Sequence, residues 1–116
     1  MELEESRQGI IAKKFAERIV AGDFNGAHKM LAAELSQRVS PVQLQESYES
    51  MIEYGDGTPD FVGVMSILDE WPAKEPRDVG WAYVAISGER YSEGVTVVVS
   101  EEQGQYVIRE IKWGQP

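Results

Sequence analysis

The chain has 116 residues, with 20 acidic against 11 basic side chains, a net charge of −9 and no cysteine. Its length gives one domain, residues 1–116, able to bury a core without disulfides or metal, and the lack of thiols removes thiol nucleophiles and thiolate metal sites. The negative charge repels phosphate backbones and anionic membranes, and no three basic residues cluster (Lys13-Lys14 and Lys74 with Arg77 are the densest pairs), so neither nucleic acid nor membrane is an expected partner.

The N-terminus, MELEESRQGI, is acidic and lacks the basic start and apolar stretch of a secretory signal. With no apolar run near the ~20 residues that span a bilayer, the expected location is cytoplasmic. From Glu5 to Val20, Ile11, Phe15 and Ile19 recur at steps of four, and Ala12, Ala16 and Val20 widen the stripe. That spacing predicts an amphipathic helix. Gly22 suits a left-handed residue after its last turn, and Asp23 suits the N-cap of a second helix with Phe24, Ala27 and Leu31 on its apolar face. A third helix has the clearest start. Ser40 is an N-cap, Pro41 opens the first turn, Gln43 completes a capping box, and Val39 with Leu44 forms a hydrophobic staple. Leu44, Tyr48, Met51 and Ile52 continue its period, and YGDGTPD stops it at Tyr54.

The second half changes period. FVGVMSILDEW, VGWAYVAIS, YSEGVTVVVS and QYVIREIKW read as four strands, and the short turns SGER and EEQG make antiparallel hairpins of the last three. With even-length turns, one sheet face collects Ala82, Val84, Ile86, Val95, Val97, Val99 and Ile108, with Glu93, Glu110 and Lys112 at its end. This aliphatic face is the expected core. The other face collects Val79, Trp81, Tyr83, Thr96, Val98, Val107, Arg109, Ile111 and Trp113, with Ala85 and Gly94 among them. An exposed face of an antiparallel sheet should be polar, and this one is not. Trp81, Tyr83, Thr96, Val98, Arg109, Ile111 and Trp113 are therefore candidates for a homodimer interface, with the fold's own core and a ligand wall as alternatives. A bulge near Gly94 would swap the faces. Three helices followed by a meander of at least four strands give an α+β domain with its helices on one side of the sheet.

The long first helix, the corner AGDFNGAHKML, the helix SPVQLQESYESM and the terminal strand YVIREIKWG together resemble the nuclear transport factor 2-like (cystatin-like) superfamily over nearly the whole chain. The resemblance implies a cone, in which a curved sheet wraps the helices and its mouth holds a pocket, and it implies dimers formed through the sheet. Its enzymes, ketosteroid isomerases and polyketide cyclases, use a buried carboxylate or a His–Asp pair with an oxyanion donor. No residue here matches such a motif, and no catalytic residue is carried over.

The residues themselves offer little acid–base chemistry. His28 and Asp23 are five apart, roughly 140° around a helix. With one histidine and no cysteine, no metal and no cofactor is expected. Asp56 and Asp60 in GDGTPD lack the register of a calcium loop and read as a turn. The leading expectation is a non-enzymatic, homodimeric domain that binds a small apolar ligand or a protein partner. Its pocket would be lined by Phe15, Ile19, Tyr48, Ile52, Val97, Ile108 and Glu110. One alternative is an isomerase or cyclase for a small carbonyl compound, with Tyr48 as donor and Glu110 or His28 as base. The other is an acidic protein-interaction module.

Overall fold

The structure, a computed structural model, describes residues 3–52, 59–88 and 91–114. Tyr54, the expected end of the third helix, and Asp56 lie outside them. A 3₁₀ turn (Leu3–Glu5) precedes four helices, α1 (Arg7–Val20), α2 (Phe24–His28), α3 (Ala33–Arg38) and α4 (Pro41–Met51). Four strands follow, β1 (Phe61–Leu68), β2 (Asp78–Gly88), β3 (Tyr91–Glu102) and β4 (Gln105–Trp113), paired antiparallel in the order β1-β2-β3-β4. This is the α+β order expected from the change of period along the chain, helices first and then a meander. No described helix is long and apolar enough to cross a membrane.

Local chemistry places the elements. Ser6 caps α1, its hydroxyl accepting from the Gly9 N–H. The stripe Ala12, Phe15, Ala16 and Ile19 is fully buried, and α1 packs against all four strands. Gly22, at φ 81°, ends the helix in the left-handed region. Asp23 caps α2 by accepting from the Gly26 N–H at 3.0 Å, and it also meets Arg18 at 3.3 Å. Ser40 and Gln43 form the full capping box of α4.

Two helical expectations differ from the structure. The second helix stops at His28, and Leu31 instead forms a parallel bridge to Ile108, with Ile108 N–H donating to Met30 O (2.9 Å) and Ala32 N–H to Ile108 O (2.7 Å). Backbone groups that would have continued a helix are satisfied by the β4 edge. The extra helix, α3, starts at Ala32 without a side-chain cap, so no N-cap residue announced it.

Both hairpin turns are even, closing with Gly88↔Tyr91 and Glu102↔Gln105. In the second, Gln103 (φ 51°) and Gly104 (φ 80°) are both left-handed, as a type I′ turn requires. Core-facing Val84, Ile86, Val95, Val97, Val99 and Ile108 are fully buried. The register shifts between Val98 and Val99, however, where β3 pairs with Glu110 and then Ile108, leaving Arg109 as the extra residue of a bulge. Beyond it every side chain changes face. Ile111 and Trp113 pair with Val97 and Val95 and pack against the core, the Trp113 ring 6.4 Å from Phe15. Glu110 and Lys112 pair with Val98 and Thr96 on the outer face. The expected faces of Ile111, Trp113, Glu110 and Lys112 are thus reversed, by a bulge in β4 rather than near Gly94. A second shift, between Asp78 and Gly80, packs Val79 against the core as well.

Removing the cap at the α1–α2 corner tests this local reading. Asp23→Ala is expected to lower stability by about 1 kcal/mol in urea unfolding, while Asp23→Asn, which still caps but cannot pair with Arg18, keeps most of it.

Candidate functional site

The outer face of the sheet, opposite the helices, carries Trp81, Tyr83 and Ala85 on β2, and Thr96 and Val98 on β3 beside them. Pairing extends this face to β1, where Phe61 opposes Ser87 and Leu68 opposes Trp81. Phe61, Leu68 and the bulge residue Met65 are exposed by 48%, 40% and 56%, an unusual density of large apolar side chains on one edge strand. Val98 and Thr96, in the middle, are buried beneath their neighbours. Among the described residues, Thr96 Oγ1 is the one buried side-chain polar atom without a hydrogen-bond partner.

The phenol of Tyr83 closes over Gly94, where a Cβ would collide with it. Glycine is required there by that close approach. Burial, and then the negative charge of Glu93, raises the Tyr83 pKa above its ordinary value, so the hydroxyl stays protonated near neutral pH.

One end of this face is fixed by an ion pair. Arg109, freed by the bulge, reaches Asp78 with Nε at 2.7 Å and Nη2 at 2.8 Å, a two-pronged contact. Asp78 also accepts from the Ser100 hydroxyl and from the Glu75 N–H at 2.8 Å, and its side chain is wholly buried. Arg109 Nη1 lies 3.2 Å from Glu75, and Nη2 3.9 Å from Glu110. Burial alone would raise the Asp78 pKa. The hydrogen bonds from Arg109, Ser100 and Glu75 outweigh it together with the Arg109 charge, and the carboxyl sits below its ordinary value. Arg109, expected at the dimer interface, has its guanidinium committed within the chain.

Most of the expected pocket residues lie in one packed cluster. Phe15, Ile19, Val97 and Ile108 are fully buried, Tyr48 nearly so, and Ile52 packs at their border. Tyr48 stacks obliquely with Phe24 at 6.4 Å. Glu110 is not with them, because the bulge turns it outward. His28 Nε2 lies 3.0 Å from Ser36 O and 2.8 Å from Val39 O. Both partners are acceptors, so this nitrogen carries the proton and ties α2 to the segment leading into α4. Tyr48, Glu110 and His28 do not form the donor-and-base set that an isomerase would need. No group of three metal-ligating side chains occurs among the described residues.

Sequence reasoning missed Phe61, Met65 and Leu68 because β1 was given no face. The spacing of Phe61, Gly63 and Leu68 around Met65 holds that signal, interrupted by the bulge between Val64 and Ser66.

No protein-family model matches the chain, and no curated protein is a significant match. Among solved structures it is similar to an NTF-2 like protein of unknown function from Burkholderia xenovorans LB400, at 13% identity and a TM-score of 0.46, over 96% of this chain and 88% of that one. That likeness is one of overall shape.

The Arg109–Asp78 ion pair makes stability depend on pH. Asp78 contributes stability that is present above its unfolded pKa of about 3.9 and lost as pH falls through its lower folded value. Arg109→Met leaves a buried carboxylate unpaired, and urea unfolding at pH 7 is expected to show a loss of about 3 kcal/mol. In that variant burial acts with less opposition and raises the Asp78 pKa, so mild acidification costs it less stability than it costs the parent chain.

Proposed function

We propose that this chain is a non-enzymatic association domain that pairs with a second copy of itself through the outer face of its sheet. One observation carries the reading. The apolar face built by Trp81 and Tyr83 over the buried Val98, and extended by Phe61 and Leu68, has no helix over it among the described residues. Four strands about 4.8 Å apart, averaging ten residues or about 33 Å, present roughly 630 Å², near the lower end of the roughly 600–1,000 Å² that each partner buries in a standard stable interface, with β4 contributing the charged Glu110 and Lys112 as a rim. Among the described residues no acid–base set is assembled, which favours an association role over a catalytic one. The packing of Phe15, Ile19, Val97 and Ile108 in one cluster favours a surface role over an apolar ligand held between sheet and helices.

The charge sets the conditions. Two copies, each at −9, repel one another at long range, while the contact itself is apolar. Sedimentation is expected to find a dimer at micromolar concentration that tightens as salt is raised. Trp81→Glu is expected to weaken it by at least about thirtyfold, the effect of losing a central aromatic anchor. Leu68→Glu at the edge is expected to weaken it less. A parent chain that stays monomeric at 100 μM (about 100-fold above that range) in high salt overturns the reading.

A further inference from the structure

A second feature, independent of the outer face, lies where the last turn of α4 meets the start of β3 and the end of β4. Glu46, Ser50 and Met51 of α4, Glu93 of β3 and Trp113 of β4 line a hollow of about 580 Å³. The bulge at Arg109 creates it, by turning Trp113 to the helical side of the sheet. One side of the indole is held against Phe15, and Gly114 N–H donates to Gly94 O at 2.8 Å, which fixes the strand end. The rest of Trp113 is partly exposed at the hollow.

Three kinds of group here favour positive charge. Two carboxylates, Glu46 and Glu93, line the hollow, and among the described residues none of its lining is basic. The negative end of the α4 dipole is at Ser50 and Met51, and that last turn carries no Lys, Arg or His to complement it. The Trp113 ring offers a π-face, and Met51 a polarisable thioether, which suit a cation wrapped in hydrocarbon better than a small hydrated ion. A neutral apolar ligand would leave the carboxylates and the helix terminus without use, and an anion would be repelled by both.

We infer that this hollow binds an organic cation, an ammonium group bearing a compact hydrocarbon body, with the charge between Glu46 and Glu93 and the hydrocarbon on Trp113. The inference does not need the dimer, because Trp113 lies on the opposite face from Trp81.

Choline and its neutral isostere 3,3-dimethylbutan-1-ol separate charge from shape. Calorimetry in 150 mM salt, which screens the general −9 field, should give saturable choline binding with a neutral isostere at least about tenfold weaker. Glu93→Gln and Glu46→Gln should each weaken choline at least about fivefold while the far-ultraviolet spectrum is unchanged. With Trp71 and Trp81 replaced by phenylalanine, the fluorescence of Trp113 should change on titration and saturate with the same constant. Equal binding of alcohol and choline, choline binding insensitive to both glutamine variants, or no saturation up to 50 mM (about 50-fold above a millimolar constant) overturns the inference.

Discussion

The extra residue at Arg109 is the constraint on which the rest of the sheet depends. A strand alternates its side chains with a period of two, so one inserted residue reverses everything after it. Before the bulge, β4 sends Ile108 into the core; after it, Ile111 and Trp113 do the same. Without it, the two charged residues Glu110 and Lys112 would point at Phe15 and its neighbours, and the two apolar ones would face outward. The displaced Arg109 is then placed over Asp78, where its fork matches the carboxylate and the buried charge is compensated. The irregularity and the ion pair are parts of one arrangement.

Most of the fold was legible in the residues because its signals are local. Gly22 and Asp23 define the α1–α2 corner, Ser40 and Gln43 start α4, and the valines of β3 alternate through a core-facing set. Each of these is decided by a few neighbouring atoms. The bulge was not legible, because Val98 and Val99 are equally good β residues, and the choice of partner is made across strands. The sequence VIREIKW reads as one unbroken alternation, yet Ile108 and Ile111, three apart, face the same side. The same reason hid the outer residues of β1. For α3, no cap announced its start, and its position follows from the bridge that fixes Leu31 to Ile108.

The consequences for the candidate sites divide along that line. Trp81, Tyr83, Thr96 and Val98 lie on the outer face as their alternation implied, since they belong to β2 and β3, whose mutual register is unbroken from Gly80 to Gly88. Glu110, Ile111 and Trp113 come after it and exchange roles. The histidine is accounted for by two carbonyl groups, and its neighbour Asp23 by a helix terminus. Polar chemistry that looks suggestive in a short acidic chain is, at these positions, spent on joining helices.

The two edges of the sheet are unlike. On β4 the backbone at Ile108 is hydrogen-bonded to Met30 and Ala32, so the chain itself occupies that edge there. Among the described residues no such segment is paired to β1, though the 3₁₀ turn packs near it, and a bulge between Val64 and Ser66 interrupts the ladder. A sheet with one blocked edge cannot grow from both ends. A strand-to-strand pairing of two copies that avoids this bridged stretch uses β1 twice, once from each, and its product has a two-fold axis. Such an assembly closes at two and does not propagate into a filament.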